Sequence, residues 1–521
     1  MRSLVTPEEM AAADQAAIDS GTPVEVLMER AGRAVARTAI RMLGGRYGRK
    51  VVVVCGKGNN GGDGYAAARV LRREGVSVRC MSVVDPQELR GAALHHYQLA
   101  KKLGVDVREF SPKGLEADLV VDAVLGTGSR GAIDRSSAIG AAVEAMWELK
   151  FGEVMVKTAD GAEAGPPVVP VPLILAVDVP SGLDPATGSV EGIAVPADVT
   201  LSLAADKVGV FLGPPKYVGE IETVDIGIQA EGRVFVLERP LVRAMLPRRR
   251  PAAHKGSAGT LAVFAGSDAM TGAAALVVRG AMRAGCGYVR VACTQKVAEV
   301  VRELCPEALV TVVTQEGYLG PDAIDIFAEA LASSTAVVVG PGLGQGQPQK
   351  ELVERLLAEQ EMPIIVDADG LNVLGTAVDV LAGGREVTIT PHPGEMARLL
   401  GTDVEKVQAN RIDTSRALAE STGATVLLKG YRSVICGQRK GVGITWVNPT
   451  GGPELATAGT GDVLSGVVGA FAAAGDVESA AVGAYVHGLA GSLAGERIGE
   501  SGLVAWDVAE AIPEAMDLIA R

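Results

Sequence analysis

The feature that most restricts the fold is the recurrence of short, uninterrupted apolar runs, each closed by a turn of glycine and polar residues and followed by helical sequence. In the first half these runs fall at 51–55, 76–84, 119–121, 174–177 and 199–203. In the second half they fall at 260–265, 288–292, 336–339, 363–366, 387–389 and 425–428. A strand apolar throughout is buried on both faces, and in a chain that alternates with helices this means a parallel sheet covered on two sides. The stretch 241–259, rich in Pro, Arg and small residues, separates the two sets. Two doubly wound α/β domains are therefore expected, at 1–240 and 241–521. One long helix is expected ahead of the first strand, opened by Thr6-Pro7-Glu8-Glu9, in which threonine caps and glutamate closes the box. Residues 151–172, rich in Gly, Pro and charge, read as an inserted loop or ragged hairpin.

Composition narrows the partners. Aromatic residues make up 3% and the net charge is −13, which disfavours single-stranded nucleic acid and anionic membranes. The basic run Arg248-Arg249-Arg250 reads as a solvated linker. Six cysteines lie scattered without a C-x-x-C pair, which gives no zinc site and fits a reducing compartment. The N-terminus lacks the basic and apolar blocks of a secretory signal. The longest apolar stretch, 463–475, is short of the ~20 residues a membrane span needs. The expectation is a cytoplasmic homo-oligomer whose partners are small-molecule nucleotides, with neither nucleic acid nor membrane among them.

The loop after the first strand reads GKGNNGGDG, with a helix expected from about Tyr65. It contains G-x-G-x-x-G (Gly56, Gly58, Gly61), which alone would suggest a dinucleotide fingerprint and a dehydrogenase. Asn59, Asn60 and Asp63 set it apart, because a carboxylate in a phosphate loop repels pyrophosphate unless it faces a hydroxyl or a cation. Asparagine carbonyls, in turn, suit a hard cation. Asp122 and Asp178 terminate later strands, and Ser181 lies in the turn after the second of them. Ligands bind at the carboxyl ends of strands in such sheets, so these groups are expected to converge on one crevice. The plainer alternative makes each aspartate a helix cap.

In the second half, Thr457-Ala458-Gly459-Thr460-Gly461-Asp462 precedes an uncharged helix. Glycines let the backbone wrap a phosphate, the helix N-terminus attracts it, and Asp462 is placed to take a proton from an attacking hydroxyl. Gly340-Pro341-Gly342-Leu343-Gly344, Asp367 to Asn372, Thr390 to Glu395 and Lys429-Gly430 follow other strands, and no P-loop is present. His392, between two prolines, is read as a ligand contact; His95, His96, His254 and His487 are read as structural or surface residues.

On NNGGDG, VDAVLGTG and DVPSGLD the first half resembles the epimerase domain of the bifunctional NAD(P)H-hydrate repair enzymes. On GPGLG, DADGLN, TPHPGE, LKG and AGTGD the second half resembles their ADP/ATP-dependent dehydratase domain. The resemblance implies a Rossmann-like three-layer domain followed by a ribokinase-like three-layer α/β/α domain. It implies that Asn59, Asn60, Gly61, Gly62, Asp63, Gly126, Thr127, Gly128, Ser129, Arg130, Gly131 and Ala132 bind the hydrated dinucleotide (NADHX or NADPHX), with Asp178 as acid/base. Asn60, Asp122 and Ser181 would ligate K+. In the second domain Ala273, Gly342, Gly344, Asn372, His392 and Asp462 would meet the hydrate. Lys429, Gly430, Tyr431, Arg432, Ser433 and Gly461 would hold ADP or ATP with Mg2+, and Asn372 and Glu395 would orient substrate, phosphates or metal. The implied function is epimerisation of the R and S hydrates, with dehydration of the S form at the expense of ADP to give AMP and phosphate. The alternative is a ribokinase-type kinase acting on a hydroxymethylpyrimidine-like molecule, with a regulatory N-terminal domain. A third class is a dinucleotide sensor without turnover.

Overall fold

The computed structural model describes residues 2–129, 131–152, 156–157, 163–164, 171–247, 255–383, 385–439, 441–475 and 478–521. The chain divides into two compact units, Ser3–Arg233 and Val234–Arg521 (with Met1–Arg2). Residues 234–240 thus fall with the second unit, seven residues earlier than the composition shift at 241, because Val234–Val236 is a strand of its sheet and Leu237 joins its core. The basic run at 248–250 and His254 lie outside the described residues.

The main sheet of the first unit has seven strands: β1 (Lys50–Cys55), β2 (Ser77–Ser82), β3 (Asp106–Glu109), β4 (Leu119–Ala123), β5 (Leu173–Val177), β6 (Val199–Leu203) and β7 (Glu220–Val224). They lie in the order β7-β6-β5-β4-β1-β2-β3, every pair parallel. Val51, Val53 and Cys55 pack on one face with helices α2 (Val24–Met42) and α3 (Asn59–Arg73). Val52 and Val54 pack on the other with a helix at Ala138–Phe151. This is the three-layer arrangement expected of an apolar strand. Within 151–172, Val156–Lys157 pairs antiparallel with Glu163–Ala164, and the remainder of that stretch is outside the described residues except at its ends.

Two expectations change. The long N-terminal helix is two: α1 (Pro7–Asp19), opened by the Thr6–Glu9 capping box, and α2. Gly21, at φ +97°, and Pro23 break it. The glycine segment is also mostly helix, since α3 starts at Asn59, not near Tyr65, and only 56–58 remain loop. The glycines serve close packing. A Cβ on Gly61 would lie 2.0 Å from the Gly56 carbonyl oxygen, and one on Gly62 would lie 2.4 Å from the Met28 sulfur. Gly61→Ala is accordingly expected to cost the first unit about 1–3 kcal/mol. A urea midpoint unchanged from the parent chain would refute that close approach.

The second unit's sheet contains β8 (Val234–Val236), β9 (Thr260–Phe264), β10 (Tyr288–Thr294), β11 (Leu309–Thr314), β12 (Ala336–Val339), β13 (Ile364–Val366), β14 (Val387–Ile389), β15 (Thr425–Leu428), β16 (Val434–Arg439) and β17 (Val442–Val447). They run β8-β17-β16-β15-β14-β13-β12-β9-β10-β11 and are parallel except at the β15–β16–β17 meander. Leu261, Val263 and Val338 face helices at Thr271–Arg283, Thr460–Ala473 and Ala505–Ala520. On the opposite face Phe264 meets Phe327 edge-on at 5.4 Å.

Candidate active sites

In each sheet the winding reverses beside one strand, the point at which doubly wound sheets place their ligand sites. In the first unit this point lies between β1 and β4. Asp122, fully buried, accepts from the Ser181 hydroxyl at 2.7 Å and the Ser181 N–H at 2.8 Å. The Ser181 hydroxyl oxygen also accepts from Leu125 N–H at 2.9 Å, and the Asn60 amide donates to the Leu125 carbonyl at 2.8 Å. The structure therefore brings Asn60, Asp122 and Ser181 together around one turn. Burial pushes the Asp122 carboxyl up to about 6, against the lowering effect of its Ser181 hydrogen bonds. No ion pair to Asp122 exists among the described residues. An oxygen-only set with one carboxylate is the donor chemistry of a hard cation, so these residues could hold one.

Beside this turn lies a cavity of about 510 Å³. Asn59, Asn60, Asp63, Gly126, Thr127, Gly128, Ser129 and Asp178 line it. Gly131 and Ala132 instead line an adjoining hollow of about 270 Å³ that shares Leu125 and Ser129. Gly61 and Gly62 are packed within α3, and Arg130 is outside the described residues.

Asp178 follows β5 in a left-handed conformation, φ +68°, which aspartate tolerates better than most side chains. It accepts from Leu203 N–H at 3.0 Å and forms an ion pair with buried Lys207, whose ammonium also donates to the Leu203 carbonyl at 2.7 Å. Asp63 is raised well above the usual carboxylate range by burial, then by Asp178 and Asp14. Asp14 is raised by burial and then Asp178. Lys207 and Asp14 escape sequence reading because neither sits in a glycine turn. The only hint was a lysine just past a strand end, in Ala204-Ala205-Asp206-Lys207.

In the second unit the reversal lies between β9 and β12. Gly266 N–H donates to the Pro341 carbonyl at 2.8 Å, and a Cβ on Gly342 would lie 2.6 Å from the Ala273 Cβ, so these predicted positions adjoin. Asp462 stands in the first turn of the helix Thr460–Ala473, whose cap Gly459 is left-handed at φ +86°. Burial, followed by the charge of Asp367, pushes its carboxyl up to about 7; Lys429 opposes this, and Asp369 and Glu395 add to it. Lys429 pairs with Asp367 at 2.7 Å and with Glu395 at 3.7 Å. Burial works to discharge Lys429, but the two carboxylates hold its proton affinity above the ordinary lysine value. Asp367 accepts from the Ser465 hydroxyl at 2.5 Å, which ties the lysine to the helix.

Asp369 accepts from Gly344 N–H at 2.9 Å and from Asn372 at 3.3 Å. His392 caps Pro393–Leu400: its Nδ1 accepts from Gly394 N–H at 3.0 Å, while Nε2 lies 3.5 Å from Glu395 Oε1. Burial lowers the His392 pKa, so the neutral ring is favoured. His487 is buried and structural, hydrogen-bonded to the Thr460 carbonyl at 2.9 Å. Among the described residues no three His, Cys, Asp or Glu side chains form a preassembled metal cage. The mutual repulsion around Asp462 suits a cation that arrives with phosphates, as Mg2+ does.

Two doubly wound units, one with a lysine-paired aspartate beside an oxygen-lined turn and one with a repelled aspartate at a helix start, define a two-site α/β enzyme. A family described as NAD(P)H-hydrate dehydratase matches residues 261–514, and one described as YjeF-related protein N-terminus matches residues 24–209. The bifunctional NAD(P)H-hydrate repair enzyme Nnr of Moorella thermoacetica is 36% identical, covering 98% of this chain and 96% of its own. That of Thermofilum pendens is 34% identical, covering 96% and 94%. The solved ADP/ATP-dependent NAD(P)H-hydrate dehydratase from Bacillus subtilis, co-crystallized with ATP/Mg2+, is 30% identical, covers 55% of this chain and 99% of its own, and has a TM-score of 0.46. The chain belongs to the bifunctional NAD(P)H-hydrate repair enzyme family. No helix among the described residues is long and apolar enough to cross a membrane.

Proposed function

We propose that the first unit epimerises hydrated NAD(P)H and the second dehydrates it, with ADP (or ATP) consumed. The observation that carries this reading is Asp462, a carboxyl held near neutrality at a helix N-terminus, within the field of Lys429. Hydroxide is a poor leaving group and phosphate a good one. Asp462 takes the proton of the hydrate hydroxyl as its oxygen bonds to the terminal phosphoryl, and the bond to the departing AMP (or ADP) breaks. The ring nitrogen lone pair then expels phosphate, and loss of a ring proton restores the dihydropyridine. Lys429 and the helix N–H groups stabilise charge on the phosphoryl oxygens. Ala273, Gly342, Gly344, Asn372 and His392 seat the hydrate, while Lys429 to Ser433 and Gly461 seat the nucleotide. Bound Mg2+ would screen the phosphates.

In the first unit Asp178 is the acid/base, its geometry set by Lys207 and Leu203 N–H. Asn60, Asp122 and Ser181 would hold K+, which supplies fixed positive charge near the dinucleotide. Free cysteines fit a reducing compartment, and we place the chain in the cytoplasm. The test is incubation with hydrated NADH and each nucleotide. Release of inorganic phosphate with recovery of reduced-nicotinamide absorbance is expected. A phosphorylated organic product would instead favour a small-molecule kinase.

A further inference from the structure

The loop after β15 is held from behind. Arg411, the first residue of the helix Arg411–Thr422, is buried and donates through Nη1 to the Tyr431 carbonyl at 2.7 Å and through Nη2 to the Arg432 carbonyl at 3.2 Å. The contact shapes the chain around it. A Cβ on Gly430 would come within 3.1 Å of Nη2, and Arg432 is itself left-handed, at φ +53°. Among the described residues Arg411 forms no ion pair with a carboxylate. A buried guanidinium without one is costly, and burial lowers its pKa to about 10. Such a cost is retained where the group does something that an apolar residue cannot.

Among the described residues every peptide is trans, so C=O and N–H of one peptide group point in opposite directions. Carbonyls 431 and 432 turned inward to Arg411 therefore fix the following N–H groups, of Arg432 and Ser433, on the far side. A loop bent by a left-handed residue, with successive N–H groups turned the same way, is an anion-binding concavity.

We infer that Arg411 is a positioning residue for the nucleotide loop: its fork holds two carbonyls and so aims the loop's peptide dipoles at the acceptor oxygens of a nucleoside diphosphate or triphosphate. This rests on the reading of Lys429 to Ser433 as the nucleotide loop. Arg411 touches no reacting atom, and its substitution changes nucleotide binding, not the chemical step.

The test uses the full chain, with ADP varied at saturating hydrated NADH. Arg411→Met is expected to raise KM for ADP about tenfold or more, with kcat within about threefold. Arg411→Lys keeps the charge but replaces the planar two-nitrogen fork with a single nitrogen on a shorter side chain, so it should also raise that KM. It carries the test if the Met variant does not fold. An ADP KM within about twofold of the parent in a folded variant overturns the inference. So does a fall in kcat with KM unchanged. Lys429→Ala separates the two levels: an unaltered ADP KM there overturns the loop assignment itself, whatever Arg411 does.

Discussion

Replacing Asp462 with Asn is expected to reduce nucleotide-dependent dehydration by about 10²–10⁴-fold while making the second unit more stable above neutral pH. The two effects share one cause. In the fold the Asp462 carboxyl titrates at about 7, because burial and the charge of Asp367 disfavour its anion; the free value is 3.8. The native state thus binds this proton more tightly than the unfolded chain. Stability from the group is complete below pH ~4 and is lost as the pH rises through ~7. Asparagine never ionises, so the variant keeps what the parent loses, on the order of 2–4 kcal/mol at pH 8. Catalysis has the opposite dependence. Only the anion accepts a proton, so kcat/KM for dehydration in the parent should rise through about pH 7 and then level. Reduced-nicotinamide absorbance follows the first effect and denaturant midpoints at pH 5 and 8 the second. Epimerisation should be untouched, and equal loss of both activities in a folded variant would break the assignment.

Asp178→Asn should slow epimer interconversion by about 10²–10⁴-fold. Asparagine is the informative choice because it accepts the left-handed backbone at this position, so charge changes while geometry is kept. The substitution also strands the Lys207 ammonium, which is buried and paired with Asp178. Breaking such a pair typically costs about 3–5 kcal/mol, so the first unit should melt earlier. Adding Lys207→Met removes the stranded charge, and the double variant should regain much of the stability but none of the activity. Chromatographic separation of the two epimers reads the rate. Epimerisation at the parental rate in Asp178→Asn would show that the proton transfer lies elsewhere.

The central strands were legible because each is apolar on both faces, and β6, β12, β14 and β15 coincide with their apolar runs. The edges were not. Asp106–Glu109 and Glu220–Val224 are mostly polar, as edge strands open to solvent can be, and so contain no apolar run to mark them. Val434–Arg439 and Val442–Val447 are antiparallel and interrupted by glycine, so they carry neither the pattern of a buried parallel strand nor a helix between them. At the sites, Asp122 and Asp178 at strand ends and Asp462 at a helix start could be read from motif and position. Their partners could not. Lys207 is 29 residues from Asp178, and Ser465 is 98 from Asp367. The start of α3 was misplaced because glycine clustering signals loop and close helix packing equally.

All six cysteines are free, and five are buried. Burial drives Cys286, Cys305 and Cys436 up to about 11 and Cys293 up to about 12. Thiolate is the form that alkylating reagents attack, and these side chains hold almost none of it at neutral pH. The native protein is thereby a quiet background for labelling. One cysteine introduced on an exposed helix would carry a dye alone, with no need to strip the natural six from a tightly packed interior.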